Sequence, residues 1–113
     1  MFLLFPVAYA KAPTAPVHEW TREELIQYAE NEAVKAHISP ERVIKVISCE
    51  SQWNPSAKGD SDRSIGLVQI HLPSHPEITE KQALNPIFSI DFLISEWVKG
   101  KQSKWTCWRI YFS

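Results

Sequence analysis

A small, mainly α-helical domain is the fold class the sequence predicts, and three observations predict it. Apolar residues recur at spacings of three and four in three separate stretches. Each of those stretches opens on the residues that start helices. What lies between them is a polar loop and a proline-rich segment, which leave room for little or no strand. Three to five helices are expected in all. The 113 residues suffice for one domain around one core.

The elements follow in order. Residues 11–20, K-A-P-T-A-P-V-H-E-W, carry two prolines and no period, and read as a linker. Thr21 and Glu24 form the pattern of a capping box. Leu25, Ile26, Ala29, Ala33 and Val34 then mark a first helix from Arg22 to about Ala36. Ser39 caps a second helix with Pro40 at its first position and Glu41 in its first turn. That helix should end near Gln52, because Asn54 precedes Pro55. Residues 54–64 are loop chemistry throughout. Ile65 to Ile70 forms either a brief strand or a tight helical turn. The stretch His71 to Glu80 holds two prolines and is expected to be irregular, with a short turn starting at Thr79 and running to Ala83. Asn85-Pro86 opens a helix carrying Ile87, Ile90, Phe92, Leu93, Ile94 and Trp97, with Gly100 as its C-terminal stop. The last segment, W-T-C-W-R-I-Y-F-S, is either a final helix or a strap over the core.

The second helix carries the residue of greatest interest. Val43, Val46 and Ile47 define an apolar face, and Glu50 falls seven residues after Val43 on that same face. A charged carboxylate there is costly unless it is paired. Two readings follow. Glu50 is held by an Arg or a backbone N–H, or it is kept neutral by its apolar setting so that it can donate a proton.

Composition narrows the possible partners. The net charge of −1 comes without a basic cluster or an acidic tail, so neither nucleic acid nor an anionic membrane is an expected partner. No stretch after residue 10 is apolar enough to span a bilayer, so no stable membrane insertion of the mature chain is expected. A monomer is expected, and no cofactor. His71 and His75 are four apart, but Pro73 between them breaks the helix that a metal site would need, so no metal is expected.

The first ten residues differ in kind. M-F-L-L-F-P-V-A-Y-A is a short apolar run ending in an A-x-A pattern, as at the end of a secretory signal cleaved after Ala10, although no basic residue precedes it. The alternative is an apolar segment docked on the fold. Export to the periplasm or beyond would suit the cysteines. Cys49 and Cys107 are the only two, and an even pair in an exported chain suggests one disulfide, against two free buried thiols in a cytosolic one.

Four ordered pieces resemble a known family: Glu50-Ser51; Asn54-Pro55 with Ala57; Gly66-Leu67-Val68-Gln69-Ile70; and Ala83-Leu84-Asn85-Pro86. Together they are similar to the lytic transglycosylase domain of the soluble-transglycosylase and goose-lysozyme-like group, over roughly residues 40–100. The resemblance implies a lysozyme-like α fold over residues 21–113. It also implies cleavage of the β-1,4 bond between N-acetylmuramic acid and N-acetylglucosamine in peptidoglycan glycan strands. Carried over by position, Glu50 matches the single catalytic acid/base, and Ser51 the residue that supports it. Gly66, Gln69 and Ile70 match the segment lining the sugar cleft, and Asn85 the residue that opens the downstream helix. The chain departs from the family in two places. Val68 stands where Met is usual. The family's Tyr-Asn-Gly segment, whose Tyr orients the catalytic Glu, has no match; Tyr111, a Trp packed on Glu50, or a Cys49–Cys107 bridge that fixes the C-terminal segment stands in for it.

Further residues fit that chemistry. Trp53 is a candidate for stacking on a sugar ring, with core packing the competing use. Ser64 and Gln69 are candidates for hydrogen bonds to N-acetyl groups, against bonding to local backbone. Trp97, Trp105 and Trp108 are expected in the core or the cleft wall. Asp60 and Asp62 are expected to cap turns, but a plain hydrolytic muramidase would use one of them to position water. The transglycosylase reading needs neither, because the resemblance implies that the substrate's own N-acetyl group assists and that its 6-hydroxyl closes a 1,6-anhydro product. A peptidoglycan-binding module without catalysis is the remaining alternative.

Overall fold

The computed structural model describes residues 19–113, so the signal-like leader at 1–10 and most of the linker lie outside the described residues. The domain is mainly helical. Its elements are α1 (Arg22–Lys35), α2 (Pro40–Ser51), β1 (Lys58–Gly59), β2 (Ser64–Ile65), β3 (Ile70–His71), α3 (Glu80–Ala83), α4 (Pro86–Val98) and α5 (Thr106–Phe112). Short 3₁₀ turns at Leu72–Ser74 and Gln102–Lys104 connect them.

Helix starts sit where their caps put them. Thr21 Oγ1 accepts from the Glu24 N–H and the Glu24 carboxylate accepts from the Thr21 N–H, which satisfies two amides that have no partner inside the helix. Ser39 accepts from the Arg42 N–H ahead of Pro40. Thr79 and Gln82 form a second capping box, and Asn85 Oδ1 accepts from both Ile87 and Phe88 N–H groups. The first helix stops at Lys35, one residue before its expected end.

α1 packs on α2 and α4, and α5 packs on α2. Leu25, Ala29 and Ala33 of α1 meet Val43, Val46 and Ile47 of α2 and Ile90, Leu93 and Trp97 of α4 in one core. Burial of the Leu, Val and Ile side chains among them is worth roughly 1.5–3 kcal/mol each. Tyr28 Oη also donates to Asp91 at 2.7 Å, joining the outer edges of α1 and α4. Trp20, at the end of the expected linker, rests on Tyr28 with ring centroids 6.2 Å apart.

Between α2 and α3 the structure departs from the expected loop. Three two-residue strands make an antiparallel sheet in the order β1-β2-β3, pairing Lys58 with Ile65 and Ser64 with His71. Strands this short carry no periodic signal, which is why residues 54–64 read as loop. The stretch Ile65–Ile70 is strand at both ends with a turn between them. The C-terminal segment is a helix, α5, covering α2.

Candidate active site

Glu50 lies on the last turn of α2, and its position follows from how that helix ends. Gln52 and Trp53 both take left-handed backbone angles, φ 53° and 64°. This double turn throws the chain back across the helix end. Ser51 stabilises the turn: its hydroxyl donates to the Ile47 carbonyl at 3.3 Å and accepts from the Trp53 N–H at 3.2 Å. Ser51 thus supports Glu50 by fixing the backbone rather than by touching the cleft.

The Glu50 carboxylate lines a cleft of about 730 Å³ between α2, the sheet, α4 and the start of α5. Its Oε2 accepts from the main-chain N–H of Cys107 at 3.2 Å. Burial raises its pKa above the ordinary value, and the Cys107 N–H and the charge of Arg109 offset part of that rise. The end of α2 also presents the negative pole of the helix dipole, which disfavours a carboxylate there in the same direction. A protonated Glu50 is therefore easier to keep than in water. The structure thus shows the backbone N–H partner of the first reading, while burial shifts Glu50 toward its acid form.

Cys107 reaches α2 twice. Its sulfur is bonded to Cys49, with Cα atoms 6.1 Å apart, and its N–H meets the neighbouring Glu50. Tyr111 does not orient Glu50. Its ring lies on the outside of α5 beneath the Lys45 ammonium, 4.5 Å from it, on a separate groove.

The opposite wall comes from the sheet and its loops. Asp60 takes a left-handed conformation, φ 55°, and accepts from Arg63 at 3.2 Å while facing His71 Nε2 at 3.3 Å. His71 Nδ1 lies 2.8 Å from the Ser74 hydroxyl. Ser64 and Ile70 line this wall as well. Gln69 also faces the cleft, but its amide nitrogen is spent on the carbonyls of Ala57 and Gly66 at 3.2 and 3.0 Å. Its main task is to hold the loop closed. Asp62 is exposed and is not among the cleft residues.

Other expected sugar contacts turn out to be scaffold. Trp53 is only 5 % exposed and belongs to the core, because the left-handed turn at Gln52 and Trp53 sends its ring inward; it does not reach the cleft. Gly66 has φ +88°, and a Cβ built on it would lie 2.1 Å from the Ala83 carbonyl oxygen. Only glycine allows that approach. The buried Ser89 hydroxyl donates to the same carbonyl at 2.9 Å. Asn85 caps α4 and is not among the cleft residues.

Of the aromatic residues on the cleft, His75 and Phe92 carried no sugar-site signal in sequence, while Trp105 lies in the core and on the cleft wall, as expected. His75, Phe92 and Trp105 form a row along it, His75 and Phe92 edge-to-face at 5.1 Å and Phe92 and Trp105 tilted at 6.2 Å. Such rings are natural platforms for the apolar faces of sugars. Trp105 also donates through Nε1 to the Val68 carbonyl at 2.9 Å, tying the segment after Gly66 to the start of α5. That main-chain role is indifferent to whether residue 68 is Val or Met. Glu96 is a second buried carboxylate on the wall, compensated by Lys99 at 3.3 Å and Lys101 at 3.9 Å. Lys104 and Thr106 complete the rim.

Residues 27–94 match the family model of the transglycosylase SLT domain. The matched span runs from the middle of α1 to α4 and contains Glu50, the sheet and Gly66. Searches of curated proteins and of solved structures returned no significant match.

Proposed function

The chain belongs to the transglycosylase SLT domain family, and on that premise we propose that it is a peptidoglycan lytic transglycosylase in which Glu50 is the catalytic acid and base. Activity of the lytic-transglycosylase type on peptidoglycan is what the family implies, and with it a periplasmic or extracellular place of action. Among the described residues no helix is long and apolar enough to cross a membrane.

The observation that carries the reading is Glu50 itself: a half-buried carboxyl whose pKa burial raises, on a cleft of about 730 Å³. In the first step the protonated carboxyl gives its proton to the glycosidic oxygen between the muramoyl and glucosaminyl residues. The N-acetyl oxygen of the muramoyl ring bonds to the anomeric carbon as the leaving oxygen departs. In the second step the Glu50 carboxylate takes the proton of the 6-hydroxyl, whose oxygen attacks the anomeric carbon and displaces the N-acetyl oxygen. The product is a 1,6-anhydro sugar, and Glu50 ends protonated, ready for another cycle. The Cys107 N–H stabilises the carboxylate in the interval between the two steps.

A second reading has one observation in its favour. Asp60 lies on the same cleft as Glu50, where a hydrolytic muramidase would place a carboxylate to guide water. Mass analysis of digested peptidoglycan separates the possibilities. Anhydro products, absent with Glu50→Gln, support the transglycosylase. Reducing-end products indicate the hydrolase, and no product at all indicates a binding module.

A further inference from the structure

We propose that the Cys49–Cys107 disulfide is a redox-controlled positioning device for Glu50: oxidised, it holds the Cys107 amide on the Glu50 carboxyl; reduced, it lets the active site slacken. The inference rests on the reading of Glu50 as the acid and adds how that acid is controlled.

The geometry is unusual in its economy of parts. Two consecutive residues of α2 are tied to a single residue of α5. Cys49 is bound through sulfur, and Glu50 through the 3.2 Å hydrogen bond from the Cys107 N–H. Any displacement of Cys107 therefore moves the one hydrogen-bond donor that the structure shows on Glu50 among the described residues. A neutral side-chain donor could reorient to follow the carboxyl. A main-chain amide can do so only if its helix moves with it.

Besides Cys107, α5 packs on the core through the half-buried Trp108 and Phe112 and otherwise makes surface contacts. The helix has seven residues, too few to persist without tertiary support. Cys107 is the buried residue it contributes, while Ile110 and Tyr111 are 67 % and 48 % exposed. Arg109 bonds to Ser103 and Thr106, which belong to the same C-terminal segment. Its links to α2 besides the disulfide and the Glu50 bond include Arg42 over the Phe112 ring at 4.7 Å and Lys45 over Tyr111 at 4.5 Å, contacts at the surface. Surface contacts of this kind are individually weak. The covalent bond sits at Cys107, the buried residue of α5.

The bond is also reachable. Cys49 is exposed and lines a groove of about 620 Å³ that shares no lining residue with the candidate active site, beside Ile44, Lys45, Ser48, Gln52 and Tyr111. A dithiol reductant entering there attacks the Cys49 sulfur as a thiolate. The sulfur–sulfur bond breaks, Cys107 leaves as a thiolate and takes a proton, and a mixed disulfide with Cys49 remains. The reductant's second thiol resolves it, giving two protein thiols and the reductant's own disulfide. Two electrons pass to the protein. Neither Glu50 nor substrate takes part, so the exchange can run with the cleft occupied. Activity is thereby coupled to an oxidising compartment.

The expected consequence is on chemistry more than on binding. A carboxyl released from its donor samples poses away from the glycosidic oxygen, and misplacement of about 1 Å costs up to roughly 10²-fold in rate. The N–H also favours the charged form of Glu50, so its loss moves the alkaline limb of the activity profile to higher pH. The ionisable groups that share the cleft are Asp60, His71, His75, Glu96 and Lys104; Arg109 rides on α5, and its withdrawal with the helix would raise the Glu50 pKa in the same direction as loss of the N–H.

The test compares three forms of the protein on purified peptidoglycan: oxidised, reduced with dithiothreitol and capped with iodoacetamide, and the Cys49→Ser/Cys107→Ser double variant, which keeps the amide. Turnover, KM and the pH profile are measured at a temperature where circular dichroism shows all three folded. A fall in kcat of about 10- to 100-fold with little change in KM, plus an upward shift of the alkaline limb in both bridge-free forms, supports the device. Uncapped reduced protein should regain full activity on reoxidation, and the double variant should ignore dithiothreitol. Unchanged kcat and pH profile in a folded, thiol-verified reduced form overturn the proposal. So does reduced protein that unfolds at every temperature tried, since the bond is then a scaffold and not a positioning device. Glu50→Gln is run in parallel. If that variant matches oxidised wild type, it is the assignment of Glu50 that fails, and that failure is read without reference to the redox state.

Discussion

The two walls of the cleft are built on opposite principles. One wall is the end of α2 with the start of α5 against it, where Glu50 is half-buried, next to a covalent bond and hydrogen-bonded by a main-chain amide. The other is the small sheet, where Asp60 is exposed and occupied by two side chains, Arg63 and His71. Both walls present a carboxylate to the same space. Their surroundings differ in what a change of charge would cost. Desolvation around Glu50 makes its protonation state matter to the protein, while solvent and the neighbours of Asp60 absorb much of the field there. Under the proposed function the proton-transfer role falls to the first wall and a shaping role to the second.

The sharpest way to break it is Glu50→Gln. The amide can still accept from the Cys107 N–H, so the fold is kept and only the transferable proton is lost. Turnover should fall by about 10²–10⁴-fold, while glycan binding survives. Stability carries a second signature. A carboxyl whose folded pKa lies above its unfolded one favours folding fully at pH below the unfolded value, near 4.5, and loses that contribution as pH rises through the folded value. Melting temperatures of wild type and variant should therefore agree in acid, and the variant should gain on the wild type toward neutral pH. Equal melting temperatures across the whole range would mean that Glu50 is not desolvated. Activity should likewise decline as pH rises past the raised pKa and the acid form is lost.

The sheet wall has its own weak point at Gly66. Gly66→Ala places a methyl against the Ala83 carbonyl and forces a side chain onto a backbone at φ +88°. Loss of stability on the order of 3 kcal/mol is expected by chemical denaturation, because a rigid backbone must shift. A change under about 1 kcal/mol would show that the loop relaxes easily and that the wall is soft.

How much of this was legible in sequence follows the same division. Helix starts were readable because each is written in local chemistry: Thr21 with Glu24, Ser39 with Pro40, Asn85 with Pro86. Glu50 was readable because a carboxylate on an apolar helix face is conspicuous. The sheet was not, since two-residue strands leave no period and the left-handed run at Asp60, Ser61 and Asp62 involves no glycine. Trp53 looked available to a sugar because helical spacing places it near Glu50; the left-handed turn that buries it depends on a Ser51 bond invisible in the pattern. Gln69 looked like a sugar ligand for its polarity, and its amide turned out to be closing its own loop. The cysteines suggested a bridge, but the amide of Cys107 on Glu50 could not be read, because every residue but proline has a main-chain N–H and only the fold says which one meets the acid.

The walls are joined at Trp105, whose indole N–H spans from the start of α5 to the Val68 carbonyl at 2.9 Å. Trp105→Phe keeps most of the ring and removes the donor, leaving a carbonyl of the buried Val68 without that partner. A cost of about 1–3 kcal/mol is expected. Turnover should fall more than binding if the bond keeps the two walls in register. If thermal stability drops while kcat stays at the wild-type value, the walls hold their spacing without this link.

The smallest effect is expected on the second wall. Asp60→Asn keeps the size of the side chain and its carbonyl acceptor, so the hydrogen bond from Arg63 can persist while the charge goes. The lost ion pairs are exposed, and exposed pairs contribute about 0–1 kcal/mol, so stability should hardly move. Turnover should fall less than about tenfold, because in the transglycosylase reading the 6-hydroxyl and the N-acetyl group of the substrate replace a second carboxylate. The same variant also decides between the two readings of the chemistry. Were Asp60 guiding water, its replacement would cost as much as Glu50→Gln and would abolish reducing-end products. A profile of anhydro products unchanged in kind and nearly unchanged in amount leaves Asp60 with the work its contacts describe: drawing Arg63 and His71 together so that the sheet keeps the shape of the cleft.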